Sequence, residues 1–195
     1  METPTNDIIN KYISKFNKDK RYSVADKAIE QLFNKFPENR ELEVVLLKTC
    51  IINDLYSTQI YGTFKMAEHI LSSQIDEGLA NGSPEIVDQI RTGHGIQKSK
   101  SGIDINFYSF ATKYCNWHNN EHYPIFDTYV GKILYEYQKK DEFSSFESID
   151  LKNFNRFKEI ILDFKNFYKL TDHNLKQIDK FLWIYGKDYF TKVEQ

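Results

Sequence analysis

Residues 123–134 read YPIFDTYVGKIL and combine a proline, a short apolar run, one carboxylate and a helix-like pattern. Pro124 restricts Tyr123 to extended geometry, so the chain enters the following helix from an extended segment. Asp127 stands where that helix should begin, and aspartate is a favoured N-cap because its side chain accepts hydrogen bonds from free backbone N–H groups. We therefore predict a helix that starts after Asp127 and ends in the lysines of YEYQKK, whose charge suits a helix C-terminus.

Helical periodicity extends through most of the chain. Residues 154–167 carry an apolar stripe at every third or fourth position, formed by Phe154, Phe157, Ile160, Ile161, Phe164 and Phe167. A second helix is predicted for SVADKAIEQLFNKF, with Ser23 as its N-cap, and another is predicted to start at Ser83 and Pro84. The segment ELEVVLLKTCII is apolar nearly all round, which predicts a central buried helix. No segment alternates like a strand. We predict an all-α fold of about eight to ten helices, forming one domain over residues 1–195 with two interleaved helical lobes, about 1–95 and 96–195, and a cleft.

Composition limits the class of protein further. Of 195 residues, 41% are hydrophobic and 15% aromatic, which is enough for a packed core. No apolar run approaches the ~18 residues of a membrane span, and the N-terminus lacks a signal-peptide pattern. Cys50 and Cys115 lie within apolar segments, which predicts two free buried thiols and a reducing, cytoplasmic setting. No cysteine and histidine spacing is typical of a zinc site.

Charge is distributed unevenly although the net charge is only −2. Residues 91–115 contain four basic side chains and one acid, namely Arg91, Lys98, Lys100, Lys113 and Asp104. Such a local excess is typical either of a phosphate-binding surface or of an ordinary solvated face. Lys113 lies on a largely apolar helix, so it is either a solvated lysine or a partly buried one with a partner.

YPIFDTYVGKIL resembles the segment that carries the catalytic aspartate in helix-hairpin-helix DNA glycosylases, typically (I/V)PVDTHVxRvl. The matching positions are Pro124, Asp127, Thr128, an aromatic residue, Val130 and Lys132. One extra residue separates the proline from the aspartate here. The resemblance implies that Asp127 stabilises the cationic sugar that forms as the base leaves.

Upstream, SKSGIDINFYSFATKYC is similar to the hairpin of that family, LPGVGxKtA. Gly102 and Ile103 match its first glycine and apolar residue, whereas Asp104 replaces the second glycine. The resemblance implies that this hairpin, with Lys98 and Lys100, holds DNA phosphates.

The same family carries a lysine after the hairpin that attacks the sugar as a Schiff base. Lys113 is the nearest helical lysine, 14 residues before Asp127 (127 − 113), and that separation is shorter than the family's usual one. An ungapped alignment puts Ser109 at the lysine position. Lys113 can therefore be the nucleophile only if the segment between it and Asp127 is shorter here than in the family. LLKTCIINDLYSTQIYGTFKMAEHI also resembles the family's segment that inserts into the duplex, with Asn53, Tyr56 and Gln59 as candidates.

The resemblance implies a DNA glycosylase that acts on double-stranded DNA with a flipped, damaged or modified base. Its catalytic residues would be Asp127 and Lys113, its base pocket would be lined by Tyr114, Trp117 and His118, and it would need no cofactor. From the residues alone, Tyr114 and Trp117 are first of all core residues, and a histidine such as His118 is more often a capping or packing group. The divergent motifs suggest that the substrate is a modified base, including one of foreign or phage DNA. We expect the enzyme to be a monomer. The alternative is a non-catalytic helical domain that binds nucleic acid or protein, in which Asp127 only caps its helix.

Overall fold

A computed structural model describes residues 1–98 and 102–193, with side chains described as far as residue 191. Its helices, labelled in chain order, are α1 Asn6–Lys18, α2 Lys20–Lys35, α3 Leu42–Leu55, α4 Thr63–Ser72, α5 Asp76–Asn81, α6 Glu85–Arg91, α7 Tyr108–His118, α8 Thr128–Asp141, α9 Phe154–Phe167 and α10 Leu175–Val193. A 3-10 turn lies at Asp150–Lys152. The all-α prediction is confirmed for the described residues, which contain no strand and one isolated antiparallel bridge, between Gln97 and Asp104.

The chain divides into two compact units, each of which is described by itself. Unit 1 joins two distant parts of the sequence, Met1–Ser23 and Pro124–Gln195, and unit 2 is the intervening Val24–Tyr123. The boundaries of these units lie at residues 23/24 and 123/124, and the interleaved lobes predicted from the sequence divide near residue 95. No helix in the described ranges is long and apolar enough to cross a membrane.

In unit 1, the long helix α10 packs on both α1 and α8. Its contact with α8 is close, because a Cβ added at Gly186 would lie only 2.9 Å from the carbonyl oxygen of Tyr129. The aromatic rings of Tyr12, Phe181 and Tyr185 fill the space between α1 and α10 with centroids 5.2–5.8 Å apart. The stripe predicted for α9 is buried from Phe154 to Phe164, and only Phe167 is exposed.

In unit 2, α3 packs against α4 and α7, and α6 packs against α7. The prediction that α3 is buried all round is wrong. Val45 and Ile52 are buried, but Leu47 is 55% exposed, and Cys50 is an exposed free thiol rather than a buried one. Single apolar residues are common on protein surfaces. The apolar composition of a helix therefore does not show how many of its sides are covered by other elements.

Two predicted helix starts also differ from the structure. Ser23 lies inside α2, because Asp19 opens that helix a turn earlier: its carboxylate accepts from the N–H of Arg21, and its carbonyl accepts from Ser23. Pro84 is the N-cap of α6 rather than its first residue, and the hydroxyl of Ser83 bonds to the side chain of Glu85. Helix ends are the least certain part of any sequence pattern, since several polar residues often compete to cap the same turn.

Candidate functional site

The residues around the predicted hairpin form a helix, a paired connection and a second helix. Between α6 and α7, the N–H of Ile105 donates to the carbonyl of Ile96 at 2.9 Å, and that of Lys98 donates to Ile103 at 3.1 Å. Gly102 has a φ of +64°, a conformation that favours glycine, and Ile103 is 66% exposed beside it. Lys98 is exposed, and Lys100 lies outside the described residues.

His94 forms hydrogen bonds at the start of this connection, next to the end of α6. Its Nδ1 accepts from the N–H of Ile96 at 3.0 Å, and its Nε2 lies 3.2 Å from the carbonyl oxygen of Arg91. The ring packs on Phe107, whose own N–H donates to Arg91 at 3.1 Å. Burial lowers the pKa of His94, so the neutral ring that these contacts require is favoured. The end of α6 and the start of α7 are thereby held together.

Lys113 is a buried lysine with partners, which was one of the two alternatives left open by the sequence. Its side chain is 2% exposed, and its Nζ donates to Ser109 Oγ at 2.6 Å, one turn earlier on α7. The ammonium also lies 5.4 Å from the ring centroid of Tyr56, within cation–π range. Trp117, half-buried on the same helix, donates its indole N–H to the hydroxyl of Tyr56 at 3.1 Å.

Tyr56 ends α3 and begins a loop that the sequence analysis linked to DNA insertion. Asn53 does not point outward from it: its Oδ1 accepts from Thr58 Oγ1 and from the N–H of Ile60, and its Nδ2 donates to the carbonyl of Ile60, at 2.8–3.1 Å. Asn53 therefore shapes the loop. Gln59 is exposed, with a φ of +60°. The structure thus groups Asn53, Tyr56, Lys113 and Trp117 in unit 2.

Tyr114 and His118 lie on the inner side of α7. Tyr114 is fully buried, and its hydroxyl donates to Asn39 Oδ1 at 2.6 Å. The ring of His118 packs on Phe33 and Tyr114 with centroids 4.9 and 5.2 Å away, and its Nε2 is enclosed without a hydrogen-bond partner. Burial, together with the nearby charge of Lys48, lowers the pKa of His118 to about 3. Both residues contribute to the core, so in this structure neither ring offers an open face to a base.

A buried polar network that the sequence analysis missed surrounds these rings. Lys48 is fully buried on α3 and donates to the carbonyl of Glu38 at 2.9 Å and to Asn39 Oδ1 at 3.1 Å. Asn39 in turn donates its Nδ2 to Asp76 at 2.6 Å, and its backbone N–H also contacts that carboxylate. Burial lowers the pKa of Lys48 to about 8, against the opposing charge of Asp76. The one available signal was a single lysine in the apolar run VVLLKTC.

Asp127 lies in unit 1 and caps α8, as predicted. Its backbone is extended, with φ −139° and ψ 158°, and its Oδ1 accepts from the N–H of Tyr129 at 2.9 Å. Ile125 and Phe126 before it are buried, so the entry to the helix is anchored in the core of unit 1. The N-terminal end of α8 stabilises negative charge through its aligned peptide dipoles.

No group of three or more histidine, cysteine, aspartate or glutamate side chains within residues 1–98 and 102–193 is arranged to hold a metal ion. The candidate residues supply one helix-capping carboxylate, one buried amine with a hydroxyl partner, and a paired connection with an exposed lysine.

Comparison with known proteins gives two matches. The family model HI_0787_N, described as an N-terminal domain, matches residues 8–122. A protein of Haemophilus influenzae entitled "Uncharacterized protein" is 40% identical over 152 residues, which cover 77% of this chain and 70% of the relative. No solved structure matches the chain significantly. The family match includes the hairpin and Lys113 and ends before Asp127.

Proposed function

This chain belongs to the HI_0787_N N-terminal domain family, and we propose that it is a DNA glycosylase that flips a damaged or modified base and cleaves its N-glycosidic bond. The observation that supports this most is the order of three elements: α6, a paired connection with an exposed glycine turn, and α7, followed along the chain by a carboxylate at the start of α8. The same order in the sequence underlies the resemblance to helix-hairpin-helix glycosylases.

In the proposed reaction, the bond between the base nitrogen and the sugar C1′ breaks, and its electron pair leaves with the base. The deoxyribose gains positive charge, which the carboxylate of Asp127 stabilises. Asp127 suits this role because the helix terminus it caps favours its negative charge. Water, or the neutral amine of Lys113, then forms the new bond at C1′.

Lys113 extends the proposal to strand cleavage. If its amine attacks, the sugar opens to an imine, and loss of a proton followed by β-elimination breaks the bond to the 3′ phosphate. The hydroxyl of Ser109 and the ring of Tyr56 fix the position of the amine.

The proposed DNA contacts are made by the connection between α6 and α7. Backbone N–H groups around Gly102 can approach a phosphate closely because glycine has no side chain, and Lys98 and Lys100 supply charge. Asp104 stands where a second glycine would lie in the resembling family, which reduces the number of close backbone contacts. We propose a monomeric enzyme whose substrate is a modified base, including those of foreign or phage DNA.

The experiment that tests this function is base release from duplexes carrying oxidised, alkylated, deaminated or hypermodified bases. The protein should release at least one of these bases, and Asp127→Asn should bind the same duplex but release none. Asn keeps the capping oxygen, so the variant changes the charge while leaving the cap in place. Full base release by Asp127→Asn contradicts the assignment, and activity confined to a common repair lesion contradicts the foreign-DNA substrate.

A second candidate is a non-catalytic helical domain that binds nucleic acid or protein. It is favoured by one observation: Asp127 and Lys113 each have a hydrogen-bond partner within their own helix, as structural residues do. In that case no duplex in the panel loses a base, although binding persists.

A further inference from the structure

Tyr61 is the most exposed large hydrophobic side chain among the described residues, at 93%. It lies in the loop between α3 and α4, where Ser57 and Gln59 are exposed polar residues. An aromatic ring in full contact with water is unusual, since rings of this size generally lie in a core or an interface. Its surroundings along the loop are polar rather than apolar.

The loop that presents Tyr61 is held in place on both sides. Ser57 and Gln59 have positive φ values of 51° and 60°, which non-glycine residues adopt only when the surrounding contacts enforce them. The side-chain amide of Asn53 supplies those contacts through its hydrogen bonds to Thr58 and Ile60.

The two residues that flank Tyr61 are anchored as well. Ile60 is buried immediately before it. Gly62 follows it and lies so near Ile96 that an added Cβ would be 3.2 Å from that side chain. The loop therefore packs against the connection between α6 and α7. A ring on a backbone held in this way loses little conformational freedom when it meets a ligand.

The elements on either side of the loop carry exposed lysines that can contact phosphates. Lys65, in the first turn of α4, and Lys98, in the paired connection, are both exposed. A single protruding aromatic with lysines on the neighbouring elements is typical of nucleic-acid binding, because the ring stacks on a base while the cations contact phosphates. A protein partner would instead favour a well-packed apolar cluster around the anchor. Phe64 is 52% exposed in the first turn of α4 and Leu55 is 41% exposed at the end of α3, but the positions between Leu55 and buried Ile60 include the polar residues Ser57, Thr58 and Gln59.

We propose that Tyr61 stacks on a DNA base next to the flipped nucleotide and holds the opened duplex. This inference rests on the proposed function, and it moves the inserting role from Asn53, Tyr56 and Gln59 to a residue that the sequence pattern did not single out. The loop that presents Tyr61 begins at Tyr56, whose ring contacts Lys113. Stacking at Tyr61 therefore positions DNA on the loop whose first residue, Tyr56, contacts the proposed nucleophile Lys113.

Binding to a duplex with a tetrahydrofuran abasic analogue tests this directly, because the analogue contains no base to excise. Tyr61→Ala should weaken binding about tenfold or more, as expected for loss of one stacked base. Tyr61→Phe should restore it, since the ring is kept and only the hydroxyl is lost. Tyr135→Ala, which removes a partly exposed tyrosine on α8, is the matched control and should bind like the wild type.

Tyr61→Trp gives a readout that a purely structural role would not change. The emission of the added indole, obtained by subtracting the signal of the two native tryptophans, should be quenched when the abasic duplex is added. Unquenched emission together with wild-type affinity of Tyr61→Ala overturns the inference and leaves base excision untouched.

The two proposals fail in distinguishable ways. If the wild type excises no base but Tyr61→Ala still weakens duplex binding and Tyr61→Phe restores it, the excision proposal fails and the stacking role stands. If the wild type does not bind the abasic duplex, the stacking role is overturned. A change in self-association in Tyr61→Ala, without a change in DNA affinity, identifies a protein-binding role instead and also overturns it.

Discussion

The ammonium group of Lys113 lies 2.6 Å from the hydroxyl oxygen of Ser109, one helical turn earlier on the same face of α7. Long side chains on a helix point back toward its N-terminus, so the amine lies above the turn before its own Cα. Ser109 is the position that an ungapped alignment with helix-hairpin-helix glycosylases gives to the lysine. The amine of Lys113 thus reaches that position from four residues further along, which supports its proposed role despite the short spacing to Asp127.

Borohydride reduction during base release should trap a covalent adduct between protein and DNA, because a Schiff base formed by Lys113 is reduced to a stable amine. Lys113→Ala should give no adduct. Ser109→Ala should still give the adduct but more slowly, since the hydroxyl positions the amine and takes no part in bond formation. The adduct is measured as a shifted band in a denaturing gel. An adduct that survives in Lys113→Ala excludes this residue as the nucleophile.

Capping by Asp127 can be separated from its proposed role in catalysis. Asp127→Ala should lower the free energy of unfolding of unit 1 by about 1 kcal/mol, because the N–H of Tyr129 loses its acceptor. Asp127→Ser and Asp127→Asn should be close to the wild type in stability, since both residues cap helices well. All three should lack base release, because none carries the charge that stabilises the sugar cation.

The two tryptophans allow this stability to be followed by unit, since Trp183 is in unit 1 and Trp117 in unit 2. Urea unfolding of Trp117→Phe proteins, detected by Trp183 fluorescence, reports on the cap. Equal loss of stability in the Ala and Ser variants would show that something other than the side-chain hydrogen bond holds the start of α8.

Asn39 should be among the most sensitive positions of unit 2. Asn39→Ala removes the acceptor of Tyr114, one of the two acceptors of Lys48 and one donor to Asp76, so that buried polar groups lose hydrogen bonds. We expect a loss of about 2–4 kcal/mol. The neighbouring Arg40→Ala breaks only an exposed ion pair with Glu38 and should cost at most about 0.5 kcal/mol.

Urea unfolding of Trp183→Phe proteins, followed by Trp117, measures both variants. Similar stabilities for Asn39→Ala and Arg40→Ala would mean that water replaces the amide without cost.

His118 should make stability fall with acid. Its folded-state pKa of about 3 lies below the ordinary value of about 6.5, so the unfolded chain takes up a proton that the folded chain refuses. The stability is fully present above pH 6.5 or so and decreases as the pH falls through that value, by about 2 kcal/mol at pH 5. His118→Phe keeps the ring packing on Phe33 and Tyr114 but removes the titration.

The variant should therefore lose less stability than the wild type between pH 7.5 and pH 5, as measured by urea unfolding at both values. Parallel losses in the two proteins would place the proton uptake elsewhere. His94 contributes in the same direction, since burial lowers its pKa too.

Local patterns predicted much of the fold and only part of the site. The periodicity of α9 and the start of α8 at Asp127 follow from interactions within a few residues, and both are confirmed. The apolar neighbours of Lys113 indicated that it can be buried. By contrast, Asn39 meets Tyr114 across 75 residues of sequence, and no local pattern encodes such a contact. The exposure of Tyr61 could not be predicted from the sequence either, because an aromatic side chain by itself suggests a position in the core.

Unit 1 is built from two segments that are separated in the sequence by the whole of unit 2, so its two segments are synthesised at different times. All residues of unit 2 have been translated once Tyr123 has left the ribosome. Among the described helices α1 is made first, yet it packs on α10, which is made last. Its apolar face, with Ile9, Tyr12 and Phe16, therefore has to wait until the rest of the chain has been translated. A pause before α10 would leave that face open to chaperones.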